Sequence, residues 1–211
     1  AGHGGAGKSY IALYQAVCIA SGRSWLGLET GQRRVTYLSC EDRANVIHWR
    51  LRRICDYLGI DMASLAGWLD VIDLVGCETI LWQAAGVDQP NTTAAYRTLA
   101  ERIRPTDVLY VDGVSDTFGG NENDRAHVKA YVNSLLALIG AEQGAVVLIA
   151  HVNKESAKTS ANAQAYSGST TWHNAVRARA YLRHEVQDGE DGGQPTKTGN
   201  LLLELQKSNL G

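Results

Sequence analysis

The chain contains 211 residues, a length that predicts one domain, or one domain with a small appendage. Hydrophobic residues make up 45% and charged residues 20%, which excludes an intrinsically disordered chain. The 20 Lys and Arg residues against 22 Asp and Glu residues give a net charge of −2, which excludes a strongly basic, histone-like protein but not local basic patches.

Apolar runs and cysteines bear on the cellular compartment. The longest apolar runs, Leu135–Ala141 and Ala145–Ala150, have seven and six residues, whereas a membrane-spanning helix needs about 20. No charged-then-apolar leader is present. The cysteine spacing fits neither a zinc ribbon nor a C-x-x-C redox pair, so we interpret all four as small buried hydrophobic residues in a reducing cytosol. We expect a cytoplasmic protein without a membrane partner. The cysteines are Cys18, Cys40, Cys55 and Cys77.

A glycine-rich motif opens the chain, where residues 2–9 read GHGGAGKS and match G-x-x-x-x-G-K-[ST] in full. Glycines let consecutive backbone N–H groups turn inward around a phosphate, because a Cβ would block that approach. Lys8 would reach the β- and γ-phosphates of ATP, and the Ser9 hydroxyl would ligate Mg²⁺. A flexible turn is the alternative, which the Lys-Ser pair in register argues against. The predicted nucleotide-binding residues here are Gly2, Gly4, Gly5, Ala6, Gly7, Lys8, Ser9 and Tyr10.

We have two further expectations for the segments on either side of this motif. A helix from Ser9 to about Ala20 would direct its N-terminal dipole at the bound anion. A P-loop follows a buried strand, and no such strand precedes Gly2. We therefore expect a fragment of a longer protein, with the first strand absent.

Arg33–Cys40 is predicted to form a short buried strand, because β-branched and aromatic residues predominate in it. It ends in Glu41 and Asp42, where ligands bind in parallel α/β sheets. We predict that Glu41 is the general base that activates the attacking water. The alternative is that Glu41 or Asp42 only caps the next helix, Arg43–Leu58, a role that fits Asp42 better.

The middle of the chain carries a second site signal. A short strand is predicted within Trp68–Leu74 and a helix over Thr92–Arg104, and we expect Trp68 and Trp82 to be packing residues. Val108–Asp112 (VLYVD) then matches a Walker B strand, in which Asp112 holds Mg²⁺ beside the phosphates. Gly113–Asn123 is predicted to be a loop over the active face, followed by a helix at about Asp124–Ala141.

The last third completes an alternating pattern of helices and strands. Gly144–Ala150 is predicted to be a buried strand, and His151 at its exit would sense the γ-phosphate, unless it is a helix-cap or surface histidine. The polar stretch Val152–Thr171 either contacts single-stranded DNA, through Lys154 and Lys158, or is disordered. Trp172–His184 would be a helix or a strand, and Asn200–Gln206 a last strand. The predicted fold class is therefore α/β, with a mainly parallel central β-sheet flanked by helices and an antiparallel C-terminal edge hairpin.

The chain resembles RecA-like P-loop ATPases in the order of four segments. These are the P-loop, the Cys40-Glu41-Asp42 strand end, the VLYVD strand and the LIAH strand. More narrowly, the chain resembles the RepA-type hexameric replicative helicases of plasmids and phages, often grouped as the AAA_25 family. The segments that carry this narrower resemblance are Gly4–Ser9, Tyr37–Arg53, Gly168–Leu182 and Lys207–Gly211. The resemblance implies one RecA-like domain over residues 1–211.

The resemblance also implies a mechanism. Glu41, Asp112 and His151 match the family's catalytic glutamate, Walker B aspartate and strand-end histidine, with ATP and Mg²⁺ as cofactors. Arg177 matches the arginine that each subunit of a homo-oligomeric, hexameric ring inserts into its neighbour's ATP site, although Arg179 could have this role.

Three further points follow from the same resemblance. Lys207 would face a neighbouring nucleotide, and single-stranded DNA would pass through the pore. One departure is Gly113, which stands where the family often has a second acidic residue, so more weight falls on Glu41. The alternatives are another RecA-like ATPase, such as a recombination mediator or a KaiC-like signalling protein, and a nucleotide-dependent DNA-binding or loading module.

Overall fold

A computed structural model of the chain describes residues 1–2, 5–85, 91–103, 106–139, 144–151, 169–187 and 196–209. The helices are α1 (Lys8–Ser21), α2 (Ala44–Leu58), α3 (Ala94–Arg102), α4 (Val114–Thr117), α5 (Arg125–Leu136) and α6 (Ser169–Ala175). The strands are β1 (Val35–Ser39), β2 (Leu69–Asp73), β3 (Trp82–Gln83), β4 (Val108–Asp112), β5 (Phe118–Gly119), β6 (Ala145–Ile149), β7 (Ala178–Gln187) and β8 (Thr196–Ser208). Among these described residues, no helix is long and apolar enough to cross a membrane.

Four parallel strands form the central sheet in the order β2-β1-β4-β6. The register pairs Ser39 with both Asp73 and Asp112, and Asp112 with Ile149. All four strands therefore end at the same edge, and the residues that follow them meet there. Every residue of the central strands β1 and β4 is buried, as expected for a parallel sheet covered on both faces.

Beyond β6, the first residues of the chain lie against the C-terminal hairpin. Gly2 forms parallel bridges with His151 on one side and with Leu182 of β7 on the other. The Ala1 carbonyl accepts from the Leu182 N–H at 2.9 Å. Strands β7 and β8 pair antiparallel in a two-stranded sheet, which the isolated bridges of Gly2 connect to His151, just after the end of β6. The first glycine of the P-loop is thereby fixed between two strands.

The core has one layer on each face of the sheet. On one face, α1 packs its buried Leu13 and Val17 against Tyr37 and Tyr110, whose rings stack with centroids 5.6 Å apart. On the other face, α5 buries Leu135 in a cluster with apolar residues of β1 and β4. Strand residues therefore point alternately into the two layers.

The predicted fold class is confirmed: a parallel central sheet flanked by helices, with an antiparallel C-terminal strand pair, consistent with a RecA-like fold. The Gly113–Asn123 prediction of a loop is wrong in part, because the segment contains the short elements α4 and β5. The alternatives for Trp172–His184 both occur, since α6 ends at Ala175 and β7 begins at Ala178.

Two burial predictions also need correction. Trp82 is a packing residue, buried and stacked on Phe118, but Trp68 is 36% exposed. Cys18 and Cys55 are buried, whereas Cys77 is exposed. Cys77 lies in a turn after β2, in which its N–H donates to the Leu74 carbonyl at 3.0 Å.

Two neighbouring leucines at the end of α5 provide a matched test of this packing. Leu135 is 0% exposed and Leu136 is 46% exposed. Leu135→Ala should lower the free energy of unfolding by about 2–5 kcal/mol, because it removes buried contacts and leaves a cavity. Leu136→Ala should change it by about 0.5 kcal/mol or less. Urea unfolding of both variants measures this, and equal losses would contradict the packing.

Candidate functional site

Two glycines of the P-loop adopt backbone conformations that favour glycine. Gly5 and Gly7 have φ values of 73° and 83°, in the left-handed region where L side chains are strained. A Cβ on Gly2 would lie 2.5 Å from the Leu182 carbonyl oxygen, so only glycine fits between the flanking strands. Ala6 is buried and Gly7 immediately precedes α1, whereas Gly4 lies outside the described residues.

Three predicted catalytic residues are joined in one hydrogen-bonded chain. Lys8 Nζ lies 3.2 Å from His151 Nδ1, and His151 Nε2 lies 2.9 Å from Glu41 Oε1. An ammonium group only donates, so Nδ1 accepts and Nε2 carries the proton that is donated to Glu41. The structure thus brings Lys8, His151 and Glu41 together from α1, from the end of β6 and from the end of β1.

Lys8 is buried, with only 7% of its surface exposed, although its ammonium group belongs to the site. Burial lowers its pKa, and the negative charges of Glu41 and Asp112 oppose that effect. The ammonium group is thus poorly hydrated and close to two carboxylates. A bound anion such as a phosphate would stabilise the charged ammonium group in place of the missing water.

Asp112 is a buried carboxylate, 2% exposed, at the end of β4. Its Oδ2 accepts a hydrogen bond of 2.7 Å from the Tyr37 hydroxyl, and its Oδ1 has no hydrogen-bond partner among the described residues. Burial raises the pKa of Asp112, while the hydroxyls of Tyr37 and Ser9 lower it. A buried carboxylate oxygen without a donor is costly unless a cation binds it.

These groups fit a Mg²⁺ ion bound together with a nucleotide. The Ser9 hydroxyl lies close enough to Asp112 to affect its pKa, and the unpaired Oδ1 provides a second hard oxygen ligand. The described part of the chain contains no cluster of three or more His, Cys, Asp or Glu residues that could hold a metal. Two protein oxygens suit Mg²⁺, which takes its remaining ligands from phosphates and water.

Asp42 does not cap the following helix, which was the alternative interpretation of this residue. Its carboxylate pairs instead with Arg50 of α2, through Arg50 Nη1 at 2.5 Å and Nη2 at 3.3 Å. The Ala44 N–H at the start of α2 donates to Asp73 Oδ2 at the end of β2. This alternative is wrong for Asp42 because β2 is the direct neighbour of β1, so Asp73 reaches the helix start from an adjacent strand.

The remaining predicted site residues lie away from this chain of contacts or at its margin. Tyr10 is 37% exposed on the first turn of α1. Arg177 is exposed between α6 and β7, whereas Arg179 is half-buried with its guanidinium 3.4 Å from His173 Nδ1. Lys207 Nζ donates to the carbonyls of His173 and Val176, at 2.7 and 2.8 Å, where α6 ends. Lys154 and Lys158 lie outside the described residues.

Comparison with known protein families identifies the family to which this domain belongs. Residues 1–157 match the family model described as an AAA domain, AAA_25, over more than half of the chain. The chain belongs to this family. Membership indicates a nucleotide-binding ATPase domain, in agreement with the P-loop and the α/β sheet. No curated protein shows significant similarity to this AAA domain.

Sequence reasoning missed Tyr37, which donates to Asp112, and Asp116, whose carboxylate lies beside Gly113. Tyr37 donates to Asp112 across 75 residues of sequence, and only the β1–β4 register brings the two together. Asp116 lies on α4, within the segment predicted to be a loop, so nothing indicated where its carboxylate points. The aspartate's position four residues after Asp112 was the only available signal.

Asp112→Asn should separate stability from metal binding. A carboxyl group whose pKa is raised by folding contributes most to stability below its usual pKa, and that contribution is lost as the pH rises through the raised value. At neutral pH the charged form therefore destabilises the metal-free protein, and the asparagine should increase the free energy of unfolding by about 1 kcal/mol. The difference should narrow as the pH falls toward 4, the usual range of a carboxyl group.

The same variant should weaken Mg²⁺-dependent nucleotide binding about tenfold or more, because Oδ1 no longer carries charge. Urea unfolding in the presence of a chelator and titration with a fluorescent nucleotide measure the two effects. Asp56→Asn, at an exposed position on α2, is the matched control. A metal-free Asp112→Asn protein less stable than wild type would contradict this account of Asp112.

Proposed function

We propose that this domain hydrolyses ATP by attack of a water molecule that Glu41 activates. The observation that carries the proposal is the Lys8–His151–Glu41 chain of hydrogen bonds. The negative charge of the buried Asp112 acts on its Lys8 end and raises the pKa of Lys8. Lys8 and the P-loop amides bind the phosphates, and Ser9 and Asp112 hold Mg²⁺. Bound Mg²⁺ neutralises charge on the phosphates.

His151 links phosphate binding to the general base. When Lys8 turns toward a phosphate, His151 Nδ1 loses its donor, while Nε2–H continues to orient Glu41. The γ-phosphate sensing predicted for His151 is consistent with this position. Phosphate binding in the P-loop thus changes the hydrogen bonding of His151, and His151 in turn contacts Glu41.

We further propose that the ATPase works in a homo-oligomeric, hexameric ring, with Arg177 completing the neighbouring subunit's site. Arg177 is exposed at the base of the β7–β8 hairpin, whereas Arg179 is half-buried against His173, which favours Arg177 for a contact in trans. An arginine finger is worth about 10³–10⁵ in rate. Lys207 would reach a neighbouring nucleotide only by leaving its two carbonyl partners.

The cellular role proposed for this ring is a RepA-type helicase or translocase that moves on single-stranded DNA during replication. The support for it is the resemblance of the motifs, with residues 1–211 acting as one RecA-like domain. A recombination mediator or a KaiC-like signalling ATPase would use the same nucleotide site without separating strands. A DNA-binding or loading module would bind ATP with negligible turnover.

The ATPase rate, measured with and without single-stranded DNA across protein concentration, tests this proposal. A ring motor should show turnover that rises more than linearly with protein and is stimulated by DNA. Slow turnover, proportional to protein and indifferent to DNA, would favour the signalling or loading alternatives. Release of a strand from a forked duplex separates a helicase from the other ATPases.

Glu41→Gln tests the catalytic assignment in the same assay. The amide cannot accept a proton from water, so turnover should fall about 10²-fold or more while nucleotide binding persists. Binding of a fluorescent nucleotide is the control for a folded site. Turnover equal to wild type would exclude Glu41 as the general base.

Mixing two inactive variants tests whether Arg177 acts in trans. Lys8→Ala should prevent phosphate binding in its own site, and Arg177→Ala should lower turnover about 10³-fold in the neighbouring site. Sites in a mixed ring that combine Lys8 of one subunit with Arg177 of the next are complete, so the mixture should regain turnover. No regain would contradict the trans contact. The role would pass to Arg179 if Arg179→Ala were inactive alone and regained turnover when mixed with Lys8→Ala, while Arg177→Ala alone kept wild-type turnover.

A further inference from the structure

The outer face of α2 presents two large aromatic rings to solvent. Trp49 is 57% exposed and Tyr57 is 79% exposed. The buried residues of the same helix, Ile47, Ile54 and Cys55, lie on its opposite side and enter the core. Large apolar groups that are collected on one face, rather than scattered singly over a surface, mark a site of interaction.

Arg53 lies between the two rings and joins them into one stripe. Trp49, Arg53 and Tyr57 follow one another at intervals of four residues, so they share one face of α2. The guanidinium carbon of Arg53 is 5.1 Å from the centroid of the Trp49 ring, which is a cation–π contact. Tyr57 in turn meets the ring of Tyr14 of α1 edge-on, with centroids 6.1 Å apart. These contacts order the planar groups of Trp49, Arg53 and Tyr57, which we call the aromatic stripe.

The charge around the aromatic stripe is positive. Helix α2 carries Arg50, Arg52 and Arg53 but only one acidic residue, Asp56. Arg50 is paired with Asp42, whereas neither Arg52 nor Arg53 forms an ion pair in the part of the chain that the structure describes. Because the whole chain has a net charge of −2, this is a local concentration of positive charge. The face therefore suits a partner that combines negative charges with flat apolar groups.

We propose that the aromatic stripe binds a single strand of nucleic acid, with Trp49 and Tyr57 stacking on unpaired bases while the neighbouring arginines contact phosphates. An unpaired strand offers both chemistries, because its bases have flat apolar faces and its backbone is charged at every nucleotide. The two rings are about 12 Å apart along the helix axis, which corresponds to about three to four nucleotides of a stacked strand. This site lies outside the nucleotide site, and the inference does not depend on the proposed ATP hydrolysis.

Binding of a fluorescent oligothymidylate of about 12 nucleotides to the full chain, without ATP, tests the proposal. Trp49→Ala and Tyr57→Ala should each weaken binding about tenfold, because each variant loses one stacked base, whereas Trp49→Phe keeps a ring and should retain most of the affinity. Leu28→Ala, which removes an exposed apolar side chain from the segment after α1, is the matched control and should bind as wild type does. Wild-type affinity in both alanine variants would overturn the proposal.

Tryptophan fluorescence reports the stacking at Trp49 directly. Unlabelled oligothymidylate should quench the fluorescence of the wild-type chain, because a base stacked on an exposed indole changes its surroundings. Trp49→Phe should lose most of this quenching although it still binds the strand. Quenching of the same size in Trp49→Phe would show that the strand binds elsewhere on the chain and would overturn the proposal.

The salt dependence of binding tests the charged part of the surface. Replacing Arg52 and Arg53 together by alanine should lower the slope of log affinity against log salt by about 1.4, since each phosphate contact on a single strand contributes about 0.7. Asp56→Asn should strengthen binding, because it removes the one negative charge of α2. Arg102→Ala is the matched control, since Arg102 is exposed on α3, which packs on the other face of the sheet. An unchanged slope in the double variant, or an equal loss in Arg102→Ala, would contradict the proposal.

Two further probes separate a nucleic acid from other negatively charged partners. A duplex of the same oligomer with its complement should bind about tenfold more weakly, because its bases are already stacked on one another. Polyglutamate, which has charges but no bases, should not displace the oligothymidylate at equal charge concentration. Equal binding of the duplex would overturn the proposal, and equal competition by polyglutamate would replace the nucleic acid with an acidic protein partner.

The ATPase rate without DNA separates this inference from the proposed function. Trp49→Ala should turn over ATP at the wild-type rate, since Trp49 is not part of the nucleotide site. If the chain hydrolyses ATP but the stripe variants bind the strand normally, the inference fails and the proposed hydrolysis stands. If the stripe variants lose strand binding and the wild-type chain has no ATPase activity, the proposed function fails and the inference stands.

Discussion

Burial of the Asp112 carboxylate at the end of β4 is the constraint on which the rest of the site depends. An ionised group in the core must be compensated by donors or by a cation, since burial alone costs several kcal/mol, about the whole stability of a small domain. One donor is the Tyr37 hydroxyl from the neighbouring strand, and Ser9 approaches from the start of α1. The β1–β4 register therefore brings Tyr37 to this carboxylate, and the position of α1 brings Ser9 to it. Oδ1 remains available to bind an ion.

Lys8, His151 and Glu41 differ in how far their side chains are exposed to solvent. Lys8 is buried, whereas the side chains of His151 and Glu41 are 39% and 40% exposed. The chain of hydrogen bonds thus runs from the core edge toward solvent, where a nucleotide and a water molecule would enter. Glu41 can accept from His151 and still have its second oxygen for a reacting water.

The fold and half of the site could be predicted from the sequence because they depend on local pattern. The P-loop spacing, the buried strands and the residues at strand ends are all readable along the chain, and the sheet topology brings Lys8, Glu41 and His151 together. Contacts between distant residues could not be predicted. The capping of α2 by Asp73 and the hydrogen bond from Tyr37 to Asp112 depend on which strands are neighbours, and Asp116 depends on a four-residue helix inside a glycine-rich segment.

The C-terminal basic residues Arg177 and Lys207 differ in their contacts within this chain. Lys207 donates to two backbone carbonyls at the end of α6, where a helix leaves carbonyls without partners of its own. Moving it to a neighbouring nucleotide would cost those hydrogen bonds. Arg177 has an exposed side chain, and its backbone carbonyl is already held by the Asn209 N–H at 2.9 Å. A fixed backbone with an exposed guanidinium loses little conformational freedom on docking, so the contact proposed for Arg177 would leave its own hairpin undisturbed.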